Sequence, residues 1–144
     1  MTKLPFGVDI NNLICDLRIL SWEAADVLIY YSNLIRNPKE KAKIIQNKTP
    51  EDPVTLADLK VNEMIINRIK KNYKNIVWNI LSEENVKDES NYFEAKSDWC
   101  WVLDPLDGTK DFIQGTGNYA MHLALNYKQK PVSYTHLRAH ETRC

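Results

Sequence analysis

The stretch WVLDPLDGTKDF, Trp101 to Phe112, ends an apolar run on two aspartates three residues apart and follows them with glycine, threonine and lysine. A turn needs no more than this. Aspartate bonds to its own backbone, proline fixes φ and glycine accepts a positive φ, so Asp-Pro and Asp-Gly are ordinary turn dipeptides. A second apolar run, NIVWNIL, also ends on acids, at Glu83 and Glu84, and that favours a chemical reading. Buried strands that end on carboxylates gather acid groups at one edge of a sheet. Three such groups, Glu83, Asp104 and Asp107, repel one another and resist ionisation unless a cation neutralises them. Oxygen ligands without histidine or thiolate suit Mg2+. Gly108 and Thr109 stand where a helix or turn begins, and backbone N–H groups there bind phosphate oxygens. Metal carboxylates beside an anion cradle describe a two-metal phosphatase. A water nucleophile also needs an orienting group. The Thr109 hydroxyl offers one, and Asp58 is a candidate acceptor to hold it. Thr55-x-x-Asp58 equally resembles a capping box with aspartate in place of glutamate, and spacing alone leaves both roles open.

These residues need elements to position them. Over 8–35, Ile10, Leu13, Ile14, Leu17, Leu20, Ala24, Val27, Leu28, Tyr31 and Leu34 recur at intervals of three and four, which predicts a helix with one apolar face. The proline- and charge-rich segment RNPKEKAKIIQNKTPEDP breaks that period and reads as an exposed loop with a short hairpin about Ala42–Gln46. A second helix is expected from about Thr55, with Ala57, Val61, Met64, Ile65 and Ile69 on one face and Lys70 and Lys71 at its C-terminal dipole. The runs NIVWNIL and DWCWVL suit buried strands, separated by the polar loop NVKDESNYFEAKS. In NYAMHLALNY, Tyr119, Met121, Leu123, Leu125 and Tyr127 alternate with Ala120, His122, Ala124 and Asn126, which is strand period. Two helices followed by at least three strands predict a layered α+β fold, with the helices packed on an antiparallel sheet.

The chain has 144 residues, 44% hydrophobic and 26% charged, with 19 basic and 19 acidic side chains. That balance fits a soluble globular domain and gives no electrostatic case for nucleic acid or for an anionic membrane. No apolar run reaches the length of a membrane helix, and the first residues do not read as a secretory signal, so the cytoplasm is the expected location. Cys15, Cys100 and Cys144 are too few and too scattered for a disulfide framework or a zinc site. The last residues, SYTHLRAHETRC, depart from the apolar alternation and resemble translated adapter or vector sequence. Residues 1–131 are therefore read as the native part and 132–144 as a non-native tail. His136, His140 and Cys144 mimic a metal spacing there without an element to hold them.

Taken in order, PVTLAD, LSEEN and WVLDPLDGTKDF resemble the signature segments of the inositol monophosphatase superfamily, whose members are Mg2+-dependent, lithium-sensitive phosphatases. The likeness covers about residues 8–131. Lys110 after the threonine is closer to the CysQ-type 3'(2'),5'-bisphosphate nucleotidases than to the inositol monophosphatases, which more often carry a second threonine. The resemblance implies the N-terminal, metal-binding part of a layered αβαβα fold. It implies that Glu83 and Asp104, with the backbone carbonyl of Leu106, ligate one Mg2+, and that Asp104 and Asp107 share a second. Gly108 and Thr109 would hold the phosphate through backbone N–H groups. Asp58 would hold the Thr109 hydroxyl that orients the water, and Glu83, Asp58 and Thr109 would form the catalytic set. Lys110 would favour a nucleotide phosphate or be a surface lysine.

The implied reaction converts adenosine 3',5'-bisphosphate to AMP and phosphate in sulfur assimilation. Alternatives in the same superfamily are inositol-phosphate and fructose-bisphosphate hydrolysis. From other classes come a non-catalytic phosphate-ligand-binding protein and a helical interaction module on 8–35. The superfamily has a second α/β half with a further metal-ligating aspartate, and nothing in this chain matches it. The chain by itself is accordingly expected to be weakly active or inactive and to expose an unpaired sheet edge.

Overall fold

The computed structural model describes residues 3–46, 53–86 and 96–138. Its first element, α1 (Ile10–Leu34), starts where the Asp9 carboxylate accepts the Asn12 N–H at 2.9 Å, an N-cap that satisfies one of the helix's orphan donors. Leu13, Leu17, Leu20, Ala24 and Leu28 form its buried stripe. Each such leucine contributes about 1.5–3 kcal/mol through the area it removes from water. Ile10 and Ile14, which the spacing adds to the same face, remain 49% and 41% exposed. Ile10 lies in the open first turn and Ile14 on the flank of the stripe.

The next segment corrects the expectation of a loop with a hairpin about Ala42–Gln46. Pro38–Ile44 is a helix, α2, capped by Asn37, whose side chain accepts the Lys39 N–H at 3.0 Å. Proline opens it without penalty, because its fixed φ suits the first helical turn and no partner is needed there for a missing N–H. Among the described residues, strand-like pairing in this segment is limited to a bridge between Ile45 and Thr55.

Helix α3 (Leu56–Asn72) presents Ala57, Val61, Ile65 and Ile69, each no more than 1% exposed, and ends on Lys70 and Lys71 as its dipole favours. Two polar clasps tie it to α1. The Tyr73 hydroxyl donates to Asp16 Oδ2 at 2.6 Å, and Arg68 Nη2 meets Glu23 Oε2 at 2.5 Å. Burial, followed by the bond and charge of Asp16, pushes the Tyr73 phenol above its ordinary range.

Both helices cover one face of a four-stranded sheet ordered β1 (Asn79–Ser82), β2 (Trp99–Asp107), β3 (Ala120–Tyr127) and β4 (Lys130–Arg138). Trp101, Leu103, Met121, Leu123 and Leu125 form the sheet's side of the core, each 2% exposed or less. Tyr73 meets Trp78 edge-on at 4.9 Å and Trp78 meets Trp101 at 5.4 Å, so an aromatic chain joins the end of α3 to the sheet. Strands β2, β3 and β4 pair antiparallel, as the helix-then-strand order predicts, whereas β1 pairs with β2 in parallel.

The β3–β4 turn puts Lys128 and Gln129 at φ 47° and 64°, the backbone twist that tight hairpins favour. Pairing continues through Arg138 and so runs past the boundary read at 131/132. A ladder of main-chain bonds asks little of side chains, which lets a polar stretch without apolar alternation pair here. His140 and Cys144 lie outside the described residues.

Candidate active site

The parallel pairing of β1 with β2 sets Ser82 opposite Leu103. The next residue on each segment is an acid, Glu83 opening the short helix α4 (Glu83–Val86) and Asp104 continuing β2. Both carboxyl groups therefore leave the sheet at the same edge. An antiparallel pair would have sent them to opposite ends. At Pro105 the ladder with β3 shifts register, between Asp104 opposite His122 and Asp107 opposite Ala120, because proline has no N–H to donate. The Leu106 N–H turns back to Asp104 Oδ1 at 3.2 Å.

The electrostatics of this edge follow from crowding. The Asp104 carboxyl is pushed up to about 7, first by burial, then by the charge of Glu83 and a hydrogen bond with it, then by the charge of Asp107. The Leu106 N–H opposes the shift. Like charge close by disfavours the ionised form of a carboxyl group, as burial does. Asp107 is more open than Asp104, with Nε2 of His122 4.0 Å from its Oδ2.

Asp58 lives in a different environment. It is 2% exposed at the third position of α3, where its Oδ2 accepts the Thr55 N–H at 2.9 Å and the Thr55 hydroxyl at 2.6 Å. The Thr55 hydroxyl oxygen in turn accepts the N–H groups of Ala57 and Asp58, so the capping box is complete. Its other oxygen, Oδ1, lies 3.2 Å from Thr109 Oγ1. Burial raises the Asp58 carboxyl above its ordinary range, and the bonds from Thr55 and Thr109 oppose that. The carboxylate thus caps the helix with one oxygen and meets the Thr109 hydroxyl with the other.

Thr109 is the junction. Its hydroxyl has one proton and two acceptors, Asp58 Oδ1 at 3.2 Å and the Leu106 carbonyl at 3.0 Å. It opens helix α5 (Thr109–Gln114) behind Gly108, whose φ is +84°. Any Cβ at Gly108 would lie 2.6 Å from the Asn118 carbonyl oxygen, so glycine is required there both by conformation and by space. Lys110 projects from α5 into solvent.

Among the described residues, no three His, Cys, Asp or Glu side chains come close enough together to hold a metal ion as they stand. Mg2+ needs no such cage, since it keeps several waters and takes one or two carboxylates plus substrate oxygens. The donor chemistry at this edge fits it: carboxyl groups at Glu83, Asp104 and Asp107, the Leu106 carbonyl, and a raised Asp104 carboxyl where a cation would relieve the repulsion. Two polar neighbours lay beyond sequence reasoning. His122 faces Asp104 only through strand register. Asn62, one turn along α3 from Asp58, bonds to Ser82 and Asn85; a polar side chain one turn past the cap was its only trace in the sequence.

Several known proteins resemble this chain. A 3'(2'),5'-bisphosphate nucleotidase CysQ of Haemophilus influenzae is 35% identical over 95 residues, 65% of this chain and 34% of that protein. Inositol monophosphatase 2 of Solanum lycopersicum is 31% identical over 99 residues, 69% of this chain and 37% of that protein. The fold matches the extragenic suppressor protein suhB of Bartonella henselae with a TM-score of 0.68 at 23% identity, over 89% of this chain and 44% of that one. The chain thus spans well under half the length of the relatives it matches. The sequence profile of the inositol monophosphatase family matches residues 18–133, which include Asp58, Glu83 and the whole Asp104–Thr109 turn. By that match, and by a fold that brings two strand-end acids to one edge, the chain belongs to the inositol monophosphatase family.

Proposed function

We propose that this chain carries the metal-binding part of a Mg2+-dependent phosphomonoesterase whose substrate is a 3'(2'),5'-bisphosphate nucleotide, with adenosine 3',5'-bisphosphate giving AMP and phosphate. The observation that carries the reading is the meeting, at one sheet edge, of crowded carboxyl groups with a threonine hydroxyl held by a buried carboxylate. Glu83, Asp104, Asp107 and the Leu106 carbonyl are the groups that would hold Mg2+, which supplies the charge that polarises a phosphoryl oxygen. Asp58 acts by accepting from Thr109, which aims the hydroxyl oxygen's remaining lone pairs at the attacking water. The backbone N–H groups of Gly108 and Thr109 hold the transferred phosphate close to the main chain, where any larger residue at 108 would be barred. Lys110, flexible and exposed, reaches a second phosphate as a point charge.

The nucleotide preference is supported by Lys110 and by the Haemophilus influenzae relative. The tomato relative supports the second reading, an inositol phosphatase. Substrate ranking separates them in a protein with the full length of the family fold. Phosphate release from adenosine 3',5'-bisphosphate exceeds that from inositol monophosphate and fructose 1,6-bisphosphate if the proposal holds. Preference for inositol monophosphate would overturn the nucleotidase reading and keep the phosphatase one. Release that is indifferent to Mg2+ would overturn both.

A further inference from the structure

We infer that Asn62 is a positioning residue for Glu83: its single side-chain amide grips the chain on both sides of that carboxylate and fixes it relative to Asp58. The inference rests on the proposed role of Glu83 as a metal ligand.

Asn62 Oδ1 accepts the hydroxyl of Ser82, and its Nδ2 donates to Asn85 Oδ1 at 3.2 Å. Ser82 is the last residue of β1 and is fully buried, while Asn85 lies in α4. Glu83 and Glu84 are the residues between the two grip points. A helix of this length has no stability of its own, because nucleation fixes several residues for one bond. Its place must be set from outside, by the elements packed against it, β1, β2 and α3. Asn62 stands four residues after Asp58 on α3, so one helical turn sets the spacing between the carboxylate that holds Thr109 and the strand end that carries Glu83.

The chemistry of the side chain matters as much as its place. A lysine or arginine at 62 would pair with the acids beside it and compete with a cation, and an aspartate would add to their repulsion. A neutral amide with one acceptor and one donor end holds Ser82 and Asn85 while leaving the Glu83 charge available.

The test uses the 144-residue chain with Mn2+ as the probe, titrated by the loss of the free-ion EPR signal, alongside amide hydrogen exchange without metal. Asn62→Ala is expected to weaken Mn2+ binding by about threefold to tenfold, at the low end of outer-sphere effects on metal sites. It is also expected to speed exchange at residues 83–85 while the α1 and sheet amides stay protected. Asn85→Ala removes one grip at an exposed position and should reproduce part of both effects with folding intact. Asn67→Ala, on the exposed side of the same helix, should change neither. Unchanged exchange at 83–85 in both Asn62→Ala and Asn85→Ala overturns the inference whatever the metal does. Wild-type affinity in both variants overturns it and leaves the metal reading standing. A wild-type chain that takes up no Mn2+ overturns the metal reading, and with it the role assigned to Asn62. If Asn62→Ala loses protection throughout the chain, Asn85→Ala decides by the same two readouts.

Discussion

Two aspartates in this protein, Asp58 and Asp104, are linked by hydrogen bonds through Thr109 and Leu106 and have opposite needs. Asp58 is enclosed, yet its carboxylate accepts from the Thr55 N–H, the Thr55 hydroxyl and the Thr109 hydroxyl, so its charge is answered from within the chain. Asp104 is less enclosed, and its carboxyl is lifted to about 7 first by burial and then by the acids beside it, Glu83 and Asp107, with a single N–H from Leu106 on the other side of the balance. Burial alone therefore does not mark a site in need of a ligand. A half-buried group among like charges asks for an outside partner more strongly than a fully buried one with its bonds complete.

Substitutions probe that contrast from several sides. The largest loss is expected at the turn joining the two regions. Gly108→Ala forces a side chain onto a φ of +84° and 2.6 Å from the Asn118 carbonyl, and should cost about 3 kcal/mol in chemical denaturation. Gly115→Ala, with φ +75° but nothing within 4 Å, should cost only about 1 kcal/mol, the strain of the backbone alone. Next comes Asp104→Asn, which removes the ligand proposed to be shared: Mn2+ affinity should fall on the order of 100-fold, while the metal-free chain becomes no less stable because a repulsion has gone. Asp58→Asn should do the reverse, costing about 1–2 kcal/mol through the broken capping box while Mn2+ affinity holds within about twofold. If Asp58→Asn abolished metal binding and Asp104→Asn did not, the roles assigned to the two aspartates would be exchanged. The smallest effect belongs to the clasp far from both: Arg68→Met, with Arg68 and Glu23 each about one-third exposed, should cost less than about 1 kcal/mol.

Much of this was legible in the residues. Spacings of three and four fixed α1 and α3, and strict alternation fixed β3, because each of those elements buries one face and exposes the other. The short α2 was not legible, since its helicity comes from the Asn37 cap and Pro38 rather than from an apolar stripe. The direction of β1 was hidden too: strand period is the same in parallel and antiparallel pairs, and direction is decided by the connection between strands. Yet the idea that strand ends gather acids at one edge already required parallel pairing for Glu83 and Asp104. The two readings of Asp58 stayed open in the sequence because they were never exclusive, each using a different oxygen of one carboxylate. Asn62 had almost no signal, because its partners are 20 and 23 positions away and meet it only in the fold.

On this reading the Glu83–Asp104–Asp107 edge is built to hold a cation. Asp104 carries a raised carboxyl in the metal-free fold, so the folded state binds its proton more tightly than the unfolded chain does. That contribution to stability is complete below the ordinary value of 3.8 and is lost as pH rises through about 7. Thermal melts of the 144-residue chain at about pH 5.5 and about pH 8, each with and without Mg2+, read this directly. Raising the pH is expected to destabilise the metal-free chain, Mg2+ to restore the loss at the higher pH, and Asp104→Asn to remove both the pH step and the Mg2+ response. A wild-type chain indifferent to Mg2+ at the higher pH, or an Asp104→Asn chain that responds as strongly as wild type, would contradict this reading.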